Sequence, residues 1–215
     1  MTGYVLRFNL LGIPVEVEPT FWLATLALAS HLMTRPHLLV LWIAVVFFSV
    51  LLHEMGHALM ARRLHQVPSI TLDMMGGQAQ IASCRGLTST GDILVSLAGP
   101  VAGFIVGLPL LLALIAIPGL GDVPFIGAVV RYLVIVNVTW GLINCAPILP
   151  LDGGQVMLAM LRKAGVGNAT RRALQVSVGV GATGVIVSLF FGHTDLALIA
   201  GFLAGHSAMQ LRGGR

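Results

Sequence analysis

Charge is what this sequence lacks. Of its 215 residues only 9% are Asp, Glu, Lys or Arg, while 57% are hydrophobic. Soluble globular chains carry about 25% charged residues. So little charge excludes a water-soluble globular domain and points to an integral membrane protein, with room for one membrane domain and little else. Cysteine is nearly absent. Cys84 and Cys145 stand far apart, fit no zinc or disulfide spacing, and read as two unrelated reduced thiols. No long-period repeat, Ser/Gly/Pro-rich linker, charge block or heptad series marks a second domain. The formal charge of +4 falls on Arg residues in short loops, and no basic stripe carries interleaved aromatics. A nucleic-acid partner is therefore not expected. Met1 to Glu18 alternates polar and apolar residues and lacks the basic-then-apolar order of a cleavable signal peptide.

What is there is apolar and periodic. Six apolar segments run over Thr20–Met33, Leu38–Arg62, Asp92–Ile117, Phe125–Ala146, Leu174–Phe191 and Leu196–Leu211. The first is short for a hydrocarbon core about 30 Å thick. Val5–Leu10 and Ile13–Val17 read as two short strands joined at Gly12. Val67 to Ala82 alternates around Gly76-Gly77 and reads as a β-hairpin near the membrane surface. Ser89 or Thr90 can cap the third long helix. The expected fold is an all-α polytopic membrane protein of about six transmembrane helices with a small membrane-associated β-hairpin or sheet. The expected organisation is a single domain over 1–215. It divides into N-terminal strands in 1–18, catalytic helices in 20–146 with a hairpin over 66–86, a Leu-Asp-Gly-Gly segment in 147–165, and C-terminal helices in 170–211.

Orientation follows from Lys and Arg. With six spans, one side holds Arg7, Arg62, Arg63, Arg85, Arg162, Lys163, Arg171, Arg172, Arg212 and Arg215; the other holds only Arg35. The positive-inside rule then puts both termini in the cytoplasm. Gly99, Gly103 and Gly107 line one helix face at four-residue spacing, and Ala197, Gly201 and Gly205 do the same later. Such stripes suit close helix packing in lipid. Trp22, Trp42 and Trp140 fall near span ends, where tryptophan anchors to the interface.

The chemistry lies in His53-Glu54-Met55-Gly56-His57, at the end of the second apolar segment. Ionisable groups at membrane depth are costly and ask for a functional reason. Two histidines four apart share one helix face, so both imidazoles can hold one Zn²⁺ while Glu54 reaches its water. If the span enters from outside near Leu38, His53 lies about 22 Å deep, in the cytoplasmic third of the bilayer. A hydrolytic zinc wants a third protein ligand. Asp152 is the best candidate, because Pro147 and Pro150 break the helix before it and Gly153 and Gly154 follow it. Asp73, Asp92, Asp122 and Asp195 lie in loops or at helix ends. His31, His37, His65, His193 and His206 read as interfacial or packed side chains, and Asn137 can bond across helices.

His-Glu-Met-Gly-His on one transmembrane helix, followed about a hundred residues later by Asn144-Cys145-Ala146-Pro147-Ile148-Leu149-Pro150-Leu151-Asp152-Gly153-Gly154, resembles the site-2 protease family of intramembrane zinc metalloproteases. Ala98-Gly99-Pro100 resembles the family's segment at the start of its middle core helix. Gly76-Gly77 sits where members carry a glycine pair in a membrane-associated hairpin. The resemblance implies His53, His57 and Asp152 as ligands of one Zn²⁺ per chain, and Glu54 as catalytic base. It implies Asn144 as a residue assisting substrate or transition-state binding, and Gly76 and Gly77 as part of a substrate-binding hairpin. Gly103 departs from the family, whose members often carry Asn there. PDZ and CBS modules are not expected, so the chain reads as a minimal member. The implied reaction is hydrolysis of peptide bonds in or near transmembrane segments of membrane proteins, single-span ones foremost. The implied setting is a multi-pass protein of a prokaryotic plasma membrane. A metal transporter or channel is the rival reading. It needs polar groups continuing along the second span above His53, where Val45 to Leu52 offers only Ser49. An inactive scaffold is the other, and it usually shows a lost ligand or a lost Glu.

Overall fold

The computed structural model describes residues 5–82 and 86–213. Cys84, Arg85 and Arg215, which the thiol and charge readings used, lie outside the described residues. The chain divides into two compact units: Met1–Gly86 with Ala98–Leu142, and Leu87–Leu97 with Ile143–Arg215.

The first unit is built on a four-stranded sheet in the order β1-β2-β3-β4, from Leu6–Leu10, Ile13–Val17, Val67–Asp73 and Gly76–Ala82. Leu11 and Gly12 turn the first hairpin, both with positive φ (52° and 79°), as a tight two-residue connection requires. β2 and β3 pair in parallel, with Val15 beside Ile70 and Val17 beside Leu72. The period-2 pattern buries Ile13, Val15, Val17, Ile70 and Leu72 on one face. That face packs on Val46, Val50, Leu51, Met55 and Ala58 of helix α2 (Pro36–Arg63). The sheet thus lies against the helix turns that carry the histidines. Two sequence expectations shift here. The N-terminal strands and the 67–82 hairpin form one sheet. The hairpin turns at Met74-Met75, where Asp73 Oδ1 accepts the Met75 N–H at 2.7 Å, so Gly76 and Gly77 begin β4.

α1 (Pro19–Leu28) has 10 residues and α2 has 28. α3 (Ser89–Ala116) also has 28. Thr88 Oγ1 accepts the Gly91 N–H, so Thr88 caps α3 in place of Ser89 or Thr90. The fourth apolar segment is α4 (Ile126–Val134), a π-helical stretch over Ile135–Thr139, and α5 (Trp140–Asn144). The second unit adds α6 (Asp152–Lys163), α7 (Ala169–Phe190) and α8 (Thr194–Gly213). A core of Leu149, Leu158, Ala169, Ala173 and Leu174 joins α6 to α7, with Leu211 of α8 packed against it.

Among the described residues four helical stretches are long and apolar enough to cross a membrane: Pro36–Arg63, Ser89–Ala116, Ile126–Asn144 and Ala169–Phe190. The chain is accordingly a multi-pass membrane protein, and large apolar side chains such as Ile105, Leu112, Ile186 and Phe190 face outward. The expectation of six spans is not met in full. α1 is about 15 Å long, half a hydrocarbon core. α8 carries Asp195, His206 and Arg212 and falls short in hydropathy.

Candidate metal centre

His53, Glu54 and His57 lie on consecutive turns of α2 and are buried, at 6%, 5% and 6% exposure. Pro36 opens the helix, where its missing N–H costs nothing. Arg62 and Arg63 close it, where their charge complements the helix dipole. Arg62 also donates to the Leu11 carbonyl, tying the β1–β2 turn to the helix end. The two histidine rings meet edge to face, 4.8 Å between centroids, and their Nε2 atoms stand 3.1 Å apart. Two nitrogens each about 2.05 Å from one tetrahedral zinc would be about 3.3 Å apart. The pair therefore fits a single ion with almost no rearrangement.

Two glycines make this arrangement possible. A Cβ at Gly99 of α3 would overlap Nε2 and Cε1 of His57 and stand 2.8 Å from His53 Nε2. The imidazoles occupy the space a side chain would fill. A Cβ at Gly77 of β4 would collide with Glu54, 2.6 Å from Oε1 and 2.7 Å from Cδ. Glu54 thus lies against the start of an edge strand. A third glycine, Gly56, lets α2 approach the Ala98 carbonyl of α3. Of the glycine stripe on α3, which reads in the sequence as plain bundle packing, Gly99 turns out to make room for the histidines, while Gly103 and Gly107 lie against Asn137 and Val138. The signal was present in the paired motifs around Gly99 and His57, but no local pattern links them. On α8 the expected stripe holds in part: Ala197 is buried and a Cβ at Gly201 would lie 3.6 Å from Val185 of α7, nothing lies within 4 Å of one at Gly205, and Ala200 and Ala204 approach α7 at Gly181 and Gly184.

Asn137 sits in the π-helical stretch, 4% exposed. It donates to Ser49 Oγ on α2 at 2.9 Å and to the Leu133 carbonyl at 2.9 Å. A Cβ at Gly103 would lie 3.2 Å from the Asn137 carbonyl oxygen, and one at Gly107 3.0 Å from its Cβ. Ser49, one helical turn before His53, is thereby engaged in a buried bond between helices. The sequence singled out both residues but did not pair them.

In the second unit, Asn144 ends α5 and is buried, at 8% exposure. Asp152 is half-buried and opens α6. The sequence reading named 147–165 by its Leu-Asp-Gly-Gly segment and assigned it no helix; 12 residues from Asp152 are helical. A Cβ at Gly153 would overlap the Cys145 carbonyl, and one at Gly154 would lie 2.5 Å from Ile148 C. Both glycines thus let α6 begin directly against the chain that leads into it. Of the other acids, Asp73 caps its turn and Asp122 lies 4.0 Å from Arg131.

Comparison with known proteins bears on this geometry. No family model matches the chain. It is 28% identical over 201 residues to zinc metalloprotease MJ0392 of Methanocaldococcus jannaschii, covering 92% of this chain and 56% of that protein. It is 31% identical over 227 residues to a Synechocystis sp. protein, sll0528, provisionally named a zinc metalloprotease, covering 93% and 58%. The chain spans a little over half the length of the curated relatives it matches. Its fold is similar to that of a solved site-2 protease from Methanocaldococcus jannaschii, with a TM-score of 0.65 and 24% identity over 97% of this chain and 95% of that one.

Proposed function

We propose that this chain, which belongs to the site-2 protease family, is a zinc metalloendopeptidase that cuts membrane proteins within or beside their transmembrane segments. The observation that carries the reading is the buried pair of facing imidazoles with Glu54 between them in sequence, on a helix long enough to cross the bilayer. In this reading His53 and His57 hold one Zn²⁺ through Nε2, and Asp152 completes the protein ligands. Bound zinc supplies a Lewis acid and water acidic enough to ionise near neutrality. Glu54 takes the water's proton and returns it to the leaving amine. Asn144 bonds the developing oxyanion or the peptide. The substrate helix must unwind before its peptide bonds can be attacked. β4 pairs with β3 alone among the described residues, so its open edge can accept the unwound segment by strand addition beside Glu54. Gly76 and Gly77 keep that end of the strand free of side chains.

The finer reading takes the orientation from the Lys and Arg distribution, and the substrates and the membrane from the family resemblance. The domain runs over 1–215, both termini face the cytoplasm, the membrane is a prokaryotic plasma membrane, and the substrates are single-span proteins. Metal transport gains no support, since Ser49, the polar residue above His53, is held by Asn137.

Chelation followed by zinc return tests the core of this proposal. Purified protein stripped of metal should lose cleavage of a single-span substrate and regain it with zinc. Asp152→Asn should weaken zinc by at least about 100-fold, since losing mere supporting contacts already costs 10–100-fold. Cleavage that survives complete metal removal would overturn the reading, as would zinc flux in vesicles without peptidase activity. Gly77→Ala separates the base from the metal. Its Cβ must push Glu54 aside, so turnover should fall by about 100-fold with zinc content unchanged. Full turnover in that variant would argue against Glu54 acting from beside β4.

A further inference from the structure

We infer that α7 and α8 serve the metal centre as a brace: Ser177 and Ser207 together hold the backbone of Leu149 and so set where Asp152 stands. The inference rests on the reading of Asp152 as a zinc ligand.

Between α5 and α6 the chain runs without regular structure through Pro147 and Pro150. Non-helical backbone at membrane depth must find partners inside the protein. Leu149, three residues before Asp152, finds both of its partners in side chains far along the sequence. Its N–H donates to Ser177 Oγ on α7 at 2.9 Å, and its carbonyl accepts from Ser207 Oγ on α8 at 2.9 Å. The Ser177 hydroxyl donates to the Ala173 carbonyl at 2.8 Å, leaving its oxygen to accept. Both serines are wholly buried, at 0% exposure. Few side chains in the unit are so enclosed, while large apolar residues of the same helices such as Ile186, Phe190 and Phe202 point outward.

The remaining freedom of the segment is also taken up. The Leu151 N–H bonds to the Ile148 carbonyl at 2.8 Å, closing the turn into Asp152. Gly153 and Gly154 press against Cys145 and Ile148 from the α6 side. Residues 145–149 are therefore gripped between the start of α6 and the two serines. α7 and α8 form a close pair where Gly181 meets Ala204, so the serines project from one joined support. Thr183 offers the contrast. Its hydroxyl bonds only the Gly179 carbonyl of its own helix, and it is exposed. Ser177 and Ser207 differ in that each also bonds the backbone of another segment. The two helices without a recognisable motif thus fix the segment that leads into Asp152, as residues behind metal ligands commonly do.

The test uses the full chain in lipid nanodiscs. Ser177→Ala and Ser207→Ala should each weaken zinc binding by about 10–100-fold, read by competition with a fluorescent chelator. Amide exchange over 148–151 should quicken. kcat should fall while KM holds, because the substrate-facing strand is untouched. Thr183→Ala, the same deletion elsewhere on α7, should stay within about twofold of the parent. Ser177→Cys keeps the volume with a weaker hydrogen bond, and should give an intermediate loss if alanine proves too disruptive to fold. Asp152→Ala is the reference. If it loses zinc while both serine variants bind zinc and exchange amides as the parent does, the brace is wrong and the ligand reading stands. If Asp152→Ala itself keeps full zinc affinity, the ligand reading falls and takes the brace with it.

Discussion

Glu54→Gln is expected to abolish peptide cleavage while zinc stays bound. Glutamine matches glutamate in shape, so the buried site keeps its packing, but a neutral amide cannot accept the water's proton. General base catalysis contributes about 10²–10⁴-fold, or roughly 3–5 kcal/mol of barrier. The expected loss is of that order or larger. Two measurements decide: turnover on a single-span substrate and zinc per chain. Near-parental turnover would remove Glu54 from the mechanism. Lost zinc would instead mean that the carboxylate helps to hold the metal or the helix.

Gly99→Ala should destroy zinc binding although neither ligand is changed. The new Cβ would sit on His57 Nε2 and 2.8 Å from His53 Nε2, closer than carbon and nitrogen tolerate. Backbone atoms of α3 cannot give way cheaply inside a packed helix, so the imidazoles must turn out of their facing geometry. The expected loss of zinc affinity is at least about 100-fold, more than a disturbed supporting contact would cost. A plain packing role predicts the opposite sign in stability. Alanine in a helix interior is better than glycine by about 1 kcal/mol, so a harmless substitution would raise the melting temperature. Gly205→Ala is the control, since nothing lies within 4 Å of its would-be Cβ. Calorimetric zinc titration of the two variants separates the cases. Parental zinc affinity in Gly99→Ala would show that the histidines do not use that space.

Legibility in the sequence followed the range of each interaction. Helices α2, α3 and α7 were plain from continuous apolar runs, because membrane depth forces that composition over a whole span. The β1–β2 hairpin was plain because its turn is two residues long. The second hairpin was found, but its turn was put on Gly76-Gly77. Asp73 closes the turn two residues earlier, and Gly77 is glycine because Glu54 lies there. α6 was missed as a helix because two prolines before it and two glycines within its first turn speak against one. Its glycines are needed for the close fit to Cys145 and Ile148, and tertiary packing outweighs their poor helix propensity. The six-span reading is met for four segments by length and composition among the described residues; α1 is apolar but short, and α8 is long but less apolar.

His53, Glu54 and His57 could be set on one buried helix face from the sequence alone, since a 3.6-residue repeat is a property of the chain itself. What surrounds them could not. Gly99 and Gly77 matter for side chains they lack, and an absent side chain carries no local mark of which neighbour fills its place. The Asn137–Ser49 bond and the serines that grip Leu149 join residues up to 88 positions apart. Such partners are selected only when the helices pack, because a buried polar group has no water to turn to and must find whatever donor or acceptor the fold brings within reach.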